Sequence, residues 1–122
     1  MSDFSLPFSD VTAARERIRN YIVETPLVES PLINEMTGGR ILFKLENLQK
    51  GGAFKFRGAC NRALQMTPEQ KKGGIVAWSS GNHALAVSAV CKMLGMPATC
   101  LLSTSYAADE EDSVDLGGRR SV

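Results

Sequence analysis

Two short stretches concentrate the residues of this sequence whose types and spacing can do chemistry. One runs Asn47-Leu48-Gln49-Lys50-Gly51-Gly52-Ala53-Phe54-Lys55-Phe56-Arg57-Gly58-Ala59, the other Ser79-Ser80-Gly81-Asn82-His83. In the first, two glycines let the backbone turn tightly ahead of a helix whose first N–H groups are unpaired and carry partial positive charge. A second cation is disfavoured there, and Arg57 is close by, so the Lys55 amine is biased toward its neutral, nucleophilic form. That suits a Schiff base with a carbonyl group. The plain alternative is a solvent-facing lysine that happens to start a helix. A phosphate loop does not fit, because Gly-x-x-x-x-Gly-Lys-Ser/Thr is not matched and Lys55 follows Phe54.

In the second stretch several backbone N–H groups and two hydroxyls converge between a strand and a helix. Carboxylates and phosphates bind such points. The plain alternative is a helix cap supplied by Ser80 or Asn82. A serine-hydrolase elbow is absent, and His83, the only histidine, lies too near Ser79 and Ser80 in sequence to act as a triad base. One histidine and no cysteine pair leave no metal motif.

The elements that must hold these loops read as alternating helices and strands. Ser9 is expected to cap a helix whose apolar face is Val11, Ala14, Ile18, Tyr21 and Ile22, stopped by Thr25-Pro26. Ser30 and Pro31 open a short helix with Leu32, Ile33 and Met36 inward and Gly38-Gly39 at its end. Arg40 to Glu46 alternates as a strand. Ala53 to Met66 reads as a helix burying Phe54, Ala59, Ala63 and Leu64. Ile75 to Trp78 is continuously apolar, as strands buried on both faces of a parallel sheet are. A helix from His83 to Leu94, closed by Gly95, then leads to a strand from Ala98 to Leu102. Such a strand, helix, strand unit makes the sheet parallel and the class α/β. Beyond it, Asp109-Glu110-Glu111-Asp112 is expected in a solvated helix, and Arg119 to Val122 in the start of another strand. The two chemical loops follow strands, and in open α/β sheets ligands bind beyond the strands' carboxyl ends, so both can face one pocket.

The chain has 122 residues, 43% hydrophobic and 22% charged, which suits one modest soluble core. Its formal charge of +1 offers no field to gather nucleic acid or an anionic membrane. Cys60, Cys91 and Cys100 sit in apolar surroundings without close pairing and read as buried thiols in a reducing compartment. No secretory leader or membrane-crossing run is expected, and the chain is placed in the cytoplasm.

Lys44-Leu45-Glu46-Asn47-Leu48-Gln49, then Gly-Ala-Phe-Lys-Phe-Arg-Gly-Ala, then Ser-Ser-Gly-Asn-His-Ala resembles the cofactor-lysine and substrate-carboxylate motifs of the threonine dehydratase and serine racemase family. Thr25-Pro26-Leu27 and Leu94-Gly95-Met96-Pro97-Ala98 are similar to further family segments, in order, from about Val11 to Thr99. The resemblance implies part of a two-domain, fold type II enzyme: an open, three-layer parallel sheet with helices on both faces, incomplete here. Residues 1–46 would be an N-terminal segment and 47–122 the core of the small domain.

It further implies that Lys55 carries pyridoxal 5'-phosphate, that Phe54 packs against it and that Asn82 bonds its ring hydroxyl. Ser79, Ser80, Gly81, Asn82 and His83 would surround the substrate carboxylate. The implied reaction removes the β-hydroxyl of L-threonine or L-serine to give a 2-oxo acid and ammonia. Serine racemase, with Ser80 handling the α-proton opposite Lys55, and 3-hydroxyaspartate dehydratase are close rivals. A non-catalytic α/β remnant and a generic nucleotide-binding domain are others. Full-length relatives would be homo-oligomers. Gly51-Gly52-Ala53 departs from the family's Thr-Gly-Ser, removing a hydroxyl beside the lysine. The family's phosphate-binding glycine loop is expected beyond Val122, so this polypeptide alone is expected to be inactive.

Overall fold

The computed structural model describes residues 6–101. The helix and strand expected around Asp109–Asp112 and after Arg119 lie outside the described residues. In chain order the elements are α1 (Phe8–Ile18), β1 (Leu27–Glu29), α2 (Pro31–Thr37), β2 (Leu42–Lys44), α3 (Lys55–Leu64), α4 (Pro68–Gly73), β3 (Ile75–Trp78), α5 (Asn82–Leu94) and β4 (Ala98–Leu101). Two tight 3-10 turns, Glu46–Leu48 and Lys50–Gly52, join β2 to α3.

β3 and β4 pair in parallel, with Ile75 opposite Ala98 and Trp78 opposite Leu101, and α5 is the connection between them. The α/β class and the strand, helix, strand unit are as expected. β1 and β2 form a separate antiparallel pair, Leu27 opposite Lys44 and Glu29 opposite Leu42. The core lies where α3 meets α5. Phe56, Ala59, Cys60 and Ala63 face Ala86, Val87, Val90 and Cys91, with Ile18, Ala77 and Met96 closing the edges. Alanines and cysteines dominate that seam, and their small side chains let the two helices approach closely, leaving Phe56 as its one large ring.

Several local expectations are corrected. α1 begins at Phe8 with Pro7 in the cap position and no side-chain cap, so Ser9 lies inside the helix rather than at its cap. Only Ile18 of its expected apolar face is buried, because just the C-terminal part of α1 rests on the core. α2 does start on Ser30, whose Oγ accepts from Ile33 N, and ends at a left-handed Gly38, but Leu32 and Met36 stay exposed. In α3 the inward aromatic is Phe56, not Phe54: helix phase places one or the other against α5, and Phe54 stands at the N-cap, 60% exposed.

β3 is covered on one face only. Ala77 is buried under α5, whereas Val76 and Trp78 point to the face that no described element covers. β1 and α4 are not among the expected elements. β1 is three residues long and exists through its pairing with β2, while α4 is held by a reciprocal cap between Thr67 and Gln70 with Pro68 in its first turn.

Candidate active site

Lys55 is the first residue of α3, exposed, with its Nζ 4.9 Å from the centre of the Phe54 ring. The turn before it contains Gly51 and Gly52, at φ 76° and 70°, a left-handed backbone that side chains resist. The rest of the loop is anchored by polar side chains. Gln49, 3% exposed, binds the backbone of Val23 at both ends of its amide: Oε1 accepts from Val23 N at 2.9 Å and Nε2 donates to Val23 O at 2.8 Å. Lys50 Nζ donates to Tyr21 O and lies 5.6 Å from the centre of the Phe56 ring.

In the first turn of α3, Arg57 forks onto Glu46, with Nε to Oε2 at 2.8 Å and Nη2 to Oε1 at 2.6 Å. Thr25, 2% exposed, donates its hydroxyl to Glu46 Oε1 at 2.6 Å and accepts from Arg57 Nη2 at 3.3 Å. The Arg57 guanidinium holds the Glu46 carboxyl down to about 2, against the opposing effect of burial, with the Thr25 hydroxyl and the Lys44 charge adding to it. The same pairing raises Arg57.

Ser79 to Gly81 lie between β3 and α5. Ser79 N donates to Leu101 O at 3.2 Å, continuing the β3–β4 ladder, and Ser79 Oγ accepts from Gly81 N at 3.2 Å. Gly81 occupies the N-cap of α5 without a side-chain cap bond, so neither Ser80 nor Asn82 plays the capping role of the plain alternative. The first amides of α5 therefore have no partner inside the helix and none from a cap. Ser80, Gly81, Asn82 and His83 are exposed.

The Lys50–Gly52 turn packs against α5, the helix that Ser79 to His83 introduces, so the lysine loop and the serine-rich turn are borne on neighbouring elements. Two open concavities, one lined by Glu29, Asn34 and Arg40 and the other by Asp10, Arg17 and Gln65, touch neither loop. Their polar groups largely bond one another, Asn34 and Arg40 both donating to Glu29.

The roles of Thr25, Glu46, Gln49 and Arg57 are not foreseen from the sequence, although all four lie within the quoted segments. The available signal is buried polar type: a glutamine and a threonine inside an otherwise apolar or glycine-rich context must find partners. Burial pushes the Cys60 and Cys91 thiols up, which makes both poor nucleophiles, in keeping with their reading as packing residues.

An exposed lysine at a helix start, a neighbouring aromatic face and an uncapped helix end define an α/β unit suited to an aldehyde cofactor and a carboxylate substrate. The sequence matches the family described as "Pyridoxal-phosphate dependent enzyme" over residues 18–119, and the chain belongs to that family. It is 50% identical over 104 residues to serine racemase of Arabidopsis thaliana, covering 85% of this chain and 31% of that protein. It is 40% identical over 97 residues to L-threonine ammonia-lyase of Thermotoga maritima, covering 80% of this chain and 24% of that one. Among solved structures, maize serine racemase superposes with a TM-score of 0.78 at 37% identity, over 87% of this chain and 33% of that one. The chain thus spans less than a third of the length of both curated relatives. Among the described residues no helix is long and apolar enough to cross a membrane.

Proposed function

We propose that this chain carries the amine and the substrate-carboxylate site of a pyridoxal-phosphate-dependent ammonia-lyase acting on a small hydroxy amino acid, L-threonine or L-serine. The observation that carries this reading is the exposed Lys55 amine on a braced loop whose Lys50–Gly52 turn rests on α5. The groups present that would suit the cofactor's aldehyde and ring are the exposed Lys55 amine for the aldehyde, the exposed Phe54 ring for the face and the exposed Asn82 amide for the ring hydroxyl. Bound there, pyridoxal phosphate supplies the electron sink that makes an amino acid's α-proton acidic.

The chain's own residues do the rest. Lys55 Nζ would hold the cofactor and would serve as the base for the substrate's α-proton. Uncapped amides at the start of α5, with the Ser79 and Ser80 hydroxyls and His83, bind the carboxylate by charge-assisted hydrogen bonds and so fix which α-substituent faces the lysine. Loss of the β-hydroxyl as water, followed by hydrolysis, gives a 2-oxo acid and ammonia. A second reading, racemisation, is favoured by Ser80: its hydroxyl is exposed on the serine-rich turn and could return a proton on the face away from Lys55. A 3-hydroxyaspartate substrate would call on the same groups.

The residue assignments to Phe54, Lys55, Ser79, Ser80, Gly81, Asn82 and His83 all belong to this proposal, as do the division into a segment 1–46 and a small domain 47–122, a cytoplasmic location and a homo-oligomeric whole protein. The free thiols of Cys60, Cys91 and Cys100 support a reducing compartment. The test is to mix the 122-residue chain with pyridoxal phosphate, reduce with borohydride and map the labelled peptide. The adduct is expected at Lys55 and is lost in Lys55→Ala. Labelling spread evenly over Lys44, Lys50, Lys71, Lys72 and Lys92 would sink the assignment.

A further inference from the structure

The first turn of α3 sends consecutive side chains in different directions. Phe56 enters the core at 1% exposed, Arg57 reaches back to Glu46, and Lys55 is left facing out beside Phe54. Successive helical residues are about 100° apart, so Lys55 and Arg57 stand on nearly opposite sides of that turn. Whatever pins Arg57 therefore fixes the side from which the amine leaves.

Arg57 is pinned by three residues from two segments: the Glu46 carboxylate takes two of its N–H groups, and Thr25 Oγ1 and Val23 O accept from Nη2 at 3.3 and 3.4 Å. Gln49 ties the other end of the loop to the same Val23. Between those anchors lie Lys50, whose amine is tied to Tyr21, the two left-handed glycines, Ala53, Phe54 and Lys55 itself, with Phe56 in the core. Phe56 seats the start of α3 against α5, and the two polar anchors tie the same turn to the segment around Val23. We propose that Glu46 and Arg57 are positioning residues for Lys55, their forked ion pair setting the direction of its amine. The proposal rests on the reading of Lys55 as the reactive amine.

A fork holds orientation as a point charge cannot, so Arg57→Lys, which keeps the charge and loses the two-pronged geometry, is the discriminating variant. The full chain is reductively methylated with carbon-13 formaldehyde, which labels lysines without calling on any cofactor site. In the wild type the dimethyl-Lys55 signal is expected to be displaced by the ring current of Phe54 from the signals of Lys71, Lys72 and Lys92. In Arg57→Lys and Glu46→Gln it should move back to theirs while circular dichroism stays unchanged. Thr25→Ser, which keeps the hydroxyl, should preserve the wild-type position.

The same variants are then trapped with pyridoxal phosphate and borohydride, and the share of adduct at Lys55 should fall by about tenfold. A Lys55 signal that holds its position in both variants overturns the proposal, whatever the trapping shows. If the signal shifts but the wild type shows no preference for Lys55 in trapping, the clamp stands and the cofactor reading is the one that fails.

Discussion

Glu46, Gln49, Lys50 and Arg57 reach from the lysine loop to segments as much as 34 residues away, whereas the one side-chain bond recorded within Ser79 to His83 is local, Ser79 Oγ accepting from Gly81 N. The first loop spends its polar groups on the fold. The second engages only Ser79 N, Ser79 Oγ and Gly81 N, and leaves the Ser80 hydroxyl and the first amides of α5 without a protein partner. A group that must point one way benefits from a fixed frame, and a site that must grip an anion needs donors with no prior partner. The difference between the two regions thus matches the different tasks proposed for them, and substitutions in each should separate stability from binding in opposite senses.

The largest effect falls on the anchored side. Phe56 is the only large ring in the α3–α5 seam, and its truncation to alanine leaves a cavity among small residues that cannot close over it. Phe56→Ala should cost about 3–5 kcal/mol, read as a lower urea midpoint, and the lysine loop should lose protection from amide exchange with it. A loss below about 1 kcal/mol would mean that the loop is not coupled to the core through this ring.

A smaller effect is tied to acid. The Glu46 carboxyl has its folded value depressed to about 2 from an ordinary 4.5, so its contribution is present in full above the ordinary value and is lost as pH falls from about 4.5 toward 2. The pair is partly open to solvent, and on the order of 1–2 kcal/mol is a fair magnitude after that discount. Glu46→Gln should flatten this acid limb in pH-dependent thermal melts while leaving the rest of the curve parallel to wild type. An unchanged limb would show that the ion pair does not stabilise the loop.

The sequence disclosed the scaffold and the candidate residues more readily than the frame between them. β3, α5 and β4 announce themselves through a continuous apolar run, a 3.6-residue apolar period and Gly95 as C-cap, signals that local sequence carries. β1 depends on a partner strand fifteen residues away and has no periodicity of its own. Trp78 and Val76 read as core by type, and their exposure reflects which elements lie over β3, a tertiary fact. Phe54 and Phe56 are two residues apart, and only helix phase decides which faces α5. The bonds of Glu46 to Arg57 and Thr25 span 11 and 21 residues, distances over which residue type alone names no partner. Lys55 and Ser79 to His83 were readable as candidates because unusual residue types cluster at strand-to-helix turns, where backbone geometry already narrows what they can do.

Ser79→Ala should have the smallest effect on stability and is the sharpest test of the contrast. The Ser79 hydroxyl accepts one hydrogen bond, from an exposed amide two residues on, so water can replace it at little cost. The urea midpoint should shift by an amount worth less than about 0.5 kcal/mol, as for exposed positions away from structural networks. Meanwhile Ser79 N still donates to Leu101 O, a backbone bond the substitution does not touch, so the strand ladder and the start of α5 stay in place. Should Ser79→Ala instead destabilise the chain as much as Glu46→Gln does, the serine hydroxyl would be part of the frame, and the turn could no longer be regarded as a set of donors kept free for a carboxylate.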